Sequence, residues 1–153
     1  MKEHILETPM ELPLKLNEVF PFFCDSANLE KITPPELHFQ NTTPRPNEIT
    51  LGTVVDYKLQ LYTIQFRWRS EITVWRPPYE FVDEQVHGPY HHWIHKHQFY
   101  EKSGSTIIHD TVRYQIPLWP LGEAVFPWIN LQLRRIFKYR QQATQAALLG
   151  TEG

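Results

Sequence analysis

The most regular pattern of apolar and polar positions runs from Thr53 to Trp75. Val55, Tyr57, Leu59 and Leu61 occupy every second position, and Ile64, Phe66, Trp68, Ser70, Ile72 and Val74 resume the alternation after Tyr62 and Thr63. A period of two predicts a pair of adjacent strands, each with one buried face. A two-residue turn at Tyr62-Thr63 sets Leu61 against Ile64, Leu59 against Phe66 and Tyr57 against Trp68, and Asp56 meets Arg69 on the opposite face. A slip of one residue would send the two apolar rows to opposite sides, so the pattern favours this register. Pro77-Pro78 ends the second strand, because neither ring can donate to a ladder. Glu80 to His87 and Tyr90 to Glu101 read as further strands around Gly88-Pro89. Ser103-Gly104 turns the chain into a strand from Thr106 to Ile116. Pairing across that turn places Phe99 beside Ile108, His97 beside Asp110, His95 beside Val112 and Trp93 beside Tyr114. Whether Asp83 faces His95 stays open.

Upstream, Glu3 to Met10 reads as a short strand, and Asn17 as the cap of a helix running to about Cys24. Ala27 to Ile32 reads as a second short helix, stopped by Pro34-Pro35, and Leu37 to Thr43 as a strand. From Glu123 onward Val125, Ile129, Leu133, Ile136, Ala143 and Ala147 recur at helical spacing, widened by Phe126 and Phe137. Arg134, Arg135, Lys138 and Arg140 lie mostly off that stripe and read as a solvated face, with attraction to anionic head groups as the alternative. The order is strand, two short helices, six strands, long helix. That predicts an α+β fold in which a curved seven-stranded antiparallel sheet wraps a C-terminal helix.

The chain's 153 residues suit one domain, taken as residues 1–149 with a frayed end at 150–153. Cys24 is the single cysteine, so no internal disulfide can form. The segment from Met1 to Lys15 has neither the apolar core nor the small-residue site of a signal peptide. These two features set the expectation of a cytoplasmic protein. No stretch is apolar enough to span a membrane, and a net charge of −2 argues against a general nucleic-acid binder. Gly-x-Gly-x-x-Gly, Gly-x-x-x-x-Gly-Lys and Gly-x-Ser-x-Gly are all missing, so no cofactor is expected.

Several segments resemble a known family: Val19-Phe20 with Phe23, Asp25, Asn28-Leu29 and Ile32-Thr33-Pro34-Pro35, then Trp75-Arg76-Pro77-Pro78 with Phe81, Asp83 and Gln85. Gly88-Pro89-Tyr90 continues the likeness, as do Trp93, His95, His97, Phe99, Asp110, Val112 and Tyr114, and Ile136-Phe137 with Arg140. Over nearly its whole length the chain resembles the START-like, birch-pollen-allergen-like (SRPBCC) superfamily, and within it small bacterial ligand-binding or polyketide-cyclase-like proteins. The resemblance implies the helix-grip fold and a cavity between helix and sheet. It brings no catalytic motif to transfer, and fold does not fix function.

The candidate chemistry lies among the histidines, five of which fall between His87 and His97. His95 and His97 share one face of their strand, with Asp110 across from His97. Three readings compete: a metal site, for which no stronger signature exists; an acid–base pair serving a cyclase or dehydratase, with Tyr114 or Tyr57 donating to a carbonyl; and a hydrogen-bonded polar patch that orients a ligand without reacting. The leading reading is a binder or carrier of a small hydrophobic molecule (lipid, sterol or polyketide-like) with no metal. Tyr57, Trp68, Trp93 and Tyr114 would supply its apolar surface, and His95, His97 and Asp110 its orientation. Alternatives are an aromatase/cyclase-type enzyme and a protein-interaction module with a filled core. Trp119 and Trp128 belong either to a pocket mouth or to plain packing. Cys24, at a helix end, is a poor nucleophile.

Overall fold

The computed structural model describes residues 2–44, 48–61 and 63–150. Tyr62 of the expected turn and residues 151–153 of the expected frayed end lie outside the described residues. The chain forms β1 (His4–Leu12), α1 (Leu16–Phe23), α2 (Ala27–Lys31), a 3-10 turn (Pro35–Leu37) and β2 (Gln40–Asn41). It continues through β3 (Val54–Leu61), β4 (Ile64–Arg76), β5 (Glu80–His87), β6 (His92–Lys102) and β7 (Ser105–Gln115), and closes with a 3-10 turn (Leu121–Val125) and α3 (Phe126–Leu149). The seven strands make one sheet in the order β1-β7-β6-β5-β4-β3-β2, antiparallel at every pairing. This is the expected sheet with its long C-terminal helix and two short helices after the first strand. No helix among the described residues is long and apolar enough to cross a membrane.

Strand registers follow the alternation. Tyr57 pairs with Trp68 and Asp56 with Arg69, while Phe99 pairs with Ile108, His97 with Asp110 and Trp93 with Tyr114. One parity expectation fails. A bulge lies between Ile72, which pairs with Asp83, and Val74, which pairs with Val82. The extra residue reverses the facing of the remainder of the strand. Trp75 therefore joins the core beside Phe20, at 5.7 Å between ring centroids, instead of standing on the outer face.

Three boundaries also differ for local reasons. Helix α1 begins at Leu16, not after an Asn17 cap, because the Glu18 carboxylate reaches back to accept from the Lys15 N–H at 3.0 Å. Strand β2 shrinks to two residues because His38 takes a left-handed conformation (φ 45°) just before it. Beyond it, the Thr43 hydroxyl takes the Asp56 N–H at 2.7 Å. Strand β6 starts at His92, not Tyr90, because the Gln85 amide holds the Tyr90 backbone, donating at 2.7 Å and accepting at 3.2 Å. Gly88 makes room for that side chain, since a Cβ there would lie 2.4 Å from Gln85 Oε1.

Two apolar clusters close the concave face. One seats α1 on the sheet through Val19, Phe20, Phe81, Phe99 and Ile108. The other seats the front of α3 through Trp93, Val112, Tyr114, Leu133 and Phe137. His4 ties β1 to the approach to α3: it bonds the Glu123 carboxylate at 2.8 Å and stacks on Phe126 at 3.8 Å.

Candidate functional site

Between the two clusters the inner face is left open as a cavity of about 180 Å³. The sheet contributes Tyr57, Trp68 and Trp93 to its wall, and α3 contributes Leu133, Phe137 and Arg140. Trp68 meets Trp93 edge to face at 5.2 Å and donates its indole N–H to Ser70 Oγ at 3.0 Å, so the ring is fixed by both packing and a hydrogen bond. A core with this much open space is not the filled core expected of an interaction module.

The polar floor of the cavity follows from strand register. Phe81 pairs with His97 and Asp83 with His95 across β5 and β6, and His97 pairs with Asp110 across β6 and β7. Two carboxylates therefore flank two imidazoles from opposite sides. His97 Nε2 lies 2.7 Å from Asp83 Oδ2, and its Nδ1 lies 3.3 Å from Asp110 Oδ1. His95 sits farther out, its Nε2 3.5 Å from Asp110 Oδ1 and its Nδ1 3.9 Å from Asp83 Oδ2. The His97 ring is stacked between Phe81 (4.1 Å) and His95 (3.7 Å).

These contacts divide the protons. Burial alone would lower His97, but the adjoining Asp110 and Asp83 carboxylates, the latter hydrogen-bonded to its Nε2, outweigh it and raise the group to about 9. Burial, together with the charge on His97, lowers His95. Two imidazoles stacked this closely cannot both be charged cheaply. At neutral pH the pair is therefore one imidazolium, His97, and one neutral ring, His95. Burial opposes ionisation of Asp83 and Asp110, yet the two histidines hold both carboxyls below their ordinary range. Tyr57 stays protonated because burial, and then Asp83, push its phenol up.

Asp83, His95 and His97 each bring one donor atom, all within 4.8 Å of one another, so they are the residues that could gather a cation. Their arrangement is that of a proton-linked network, however. The imidazoles lie face to face, and the 2.7 Å contact of His97 with Asp83 is a hydrogen bond, whereas tetrahedral ligands converge on a shared ion.

Of the residues picked out from sequence, Tyr57, Trp68, Trp93, His95 and His97 border the cavity. Asp110 lies behind the imidazoles, on a second small cavity of about 20 Å³. Tyr114 is 1% exposed and packs in the core against Trp93, Tyr90 and His4, away from the cavity wall. Trp119 and Trp128 are about half exposed, at 49% and 47%, and are not part of the wall. Cys24 is pushed up to about 12 by burial and then by Glu48, which leaves an inert thiol.

The largest correction concerns Arg140, which was expected on a solvated helix face. The buried positions of α3 are Leu133 and Phe137 of the expected stripe, together with Thr144, while Ile129, Ile136 and Ala143 are half-buried and Ala147 is exposed. Arg140 falls inside that row and borders both cavities, its guanidinium 5.1 Å above the Phe137 ring. The spacing 133–137–144 was readable, but an arginine in the same row masked it.

No family model matches the chain, and no curated protein matches it. Solved structures do. Protein Ms6760 from Mycobacterium smegmatis is 18% identical, with 97% of this chain and 92% of that chain covered and a TM-score of 0.69. Ara h 8.0201 is 13% identical over 98% of this chain and 100% of its own, with a TM-score of 0.71. Norcoclaurine synthase from Thalictrum flavum, as a point mutant in complex with a transition-state analogue, is 9% identical over 97% and 96%, with a TM-score of 0.73. These likenesses give the chain the helix-grip fold of the birch-pollen-allergen-like and START-like proteins, and at such identities they carry the fold alone.

Proposed function

We propose that the protein binds a small, largely apolar molecule between the sheet and α3, with the polar end of the ligand turned to the His95–His97 floor. The observation that carries this reading is the cavity of about 180 Å³, walled by aromatic rings over a buried set of ionised groups. Pockets of this make-up orient a ligand with few polar contacts and bind it with apolar area. An engineered apolar cavity of about 150 Å³ suffices to hold benzene. The size therefore suits one ring with a short chain, and a lipid or sterol would have to project through the mouth. The fold can hold a small reactant, as norcoclaurine synthase with its analogue illustrates.

Native mass spectrometry of the protein purified from its own host tests the reading. A reproducible bound mass in the range of a small organic molecule is expected. A clean unliganded mass, with no uptake of added aromatic probes, would overturn it.

One observation favours an enzymatic second reading: His95 borders the cavity, and among the described residues its buried Nε2 has no hydrogen-bond partner. In a cyclase-type reaction His95 would then act as the base and His97 as the acid. Turnover of a polyketide-like substrate that is lost in His95→Gln, with binding retained, is the result expected of it; binding without turnover favours the carrier.

A further inference from the structure

We infer that the cavity selects an amphipathic organic acid, whose carboxylate is received by the guanidinium of Arg140. The inference rests on the binding reading above and adds the chemical class of the ligand.

Arg140 is a charged group brought to an apolar wall and left without a close counter-charge. Among the described residues no carboxylate lies within 4.0 Å of it, in contrast to Arg69, Arg76, Arg113 and Arg135, each of which has one. Its guanidinium lies over the face of Phe137, at 5.1 Å. A guanidinium carries five N–H donors in a planar fork and cannot shed its proton, so its demand for an acceptor is permanent. Asp83 and Asp110 are close enough to influence it electrostatically, but their short contacts are to the imidazoles.

Within the cluster His97 answers the carboxylates at short range, and Arg140 stays available to the cavity. The nearby Tyr57 phenol is also a donor at neutral pH, held protonated by burial. Guanidinium and phenol together ask for an acceptor, and a carboxylate meets the guanidinium fork with two parallel bonds. The rings of Trp68 and Trp93 would then cover an aryl or short alkyl body.

The test is calorimetric titration of the whole protein with 3-phenylpropanoate, 3-phenylpropanamide and 3-phenylpropylamine, which share a body and differ in the polar end. The acid should bind at least tenfold more tightly than the amide. Arg140→Gln should remove that preference by weakening the acid tenfold or more, and should leave the amide within about twofold. Arg140→Lys, which keeps the charge and loses the fork, should retain part of the preference and shows that the fold survives change at this site. If the amide equals the acid in the native protein, the anion inference falls and the binding reading stands. If the amine binds best, Asp83 or Asp110 selects a cation and the inference is again overturned. If none of the three probes binds, the inference and the binding reading both fail.

Discussion

Two neighbouring steps along the same pair of strands have opposite characters. Phe99 faces Ile108 across β6 and β7, and both are sealed, at 0% and 1% exposure, under Phe20 and Phe23 of α1. Two residues farther along, His97 faces Asp110 in the same inward row, with an open cavity where the first pair has a helix. Backbone and facing are the same; the difference is in the side chains and in what covers them. Burying the first pair stabilises the fold directly, because each side chain removes apolar area from water. Burying the second has to offset the desolvation of two or more charges, and a well-packed apolar row of similar volume would often be as stable or better. Folding alone therefore does not account for the polar step, and the proposed ligand in the adjoining cavity would.

The sharpest way to break the comparison is at the apolar step. Phe99→Ala should destabilise the protein by about 4 kcal/mol, read by urea unfolding, and should leave the relative affinities of polar-ended probes unchanged. Removing half of the polar step should cost slightly less. Asp110→Asn leaves the His97 imidazolium with one carboxylate and should lower stability by about 3 kcal/mol.

The polar step also gives stability a pH dependence that the apolar step lacks. His97, raised to about 9 in the folded state, keeps a proton that the unfolded chain releases near 6.5. Its contribution is complete below about pH 6.5 and is lost as pH rises toward about 9, a decline of about 3–4 kcal/mol at 1.36 kcal/mol per pKa unit. In His97→Gln that alkaline decline should flatten. Asp83 and Asp110, both lowered, act in the other direction: their contribution holds above the ordinary carboxylate range and disappears in strong acid. The smallest effect belongs to a matched control on the outer face. Asp56 pairs with Arg69 by the same kind of cross-strand register, but in solvent. Asp56→Asn should leave the unfolding midpoint within error, because exposed ion pairs contribute little.

The parts of this picture that the sequence made legible are those set by local rules. The alternation on either side of Leu61 and Ile64 and the turn at Ser103-Gly104 gave two strand registers, and with the second the meeting of His97 with Asp110. Asp83 could not be placed, because the β5–β6 register runs through the Gly88-Pro89 loop, which the Gln85 side chain shapes. Arg140 was misplaced for a different reason. Its spacing puts it in the row of Leu133 and Phe137, but its charge assigned it to solvent, and the longer-range influence of Asp83 and Asp110, on strands distant in sequence, could not be read from the helix alone. Tyr114 shows the reverse: an aromatic at a cavity-like parity that the tertiary fold turns into plain core.

The central claim, that the space between the sheet and α3 is a binding site, is tested most directly by indole N–H resonances in a titration with 3-phenylpropanoate or its amide. Trp68 and Trp93 line the cavity, while Trp119 and Trp128 lie half exposed away from it. The account predicts saturable shifts at Trp68 and Trp93 with Trp119 and Trp128 unmoved. Shifts confined to Trp119 and Trp128, or no saturable shift at any of the four, would contradict it.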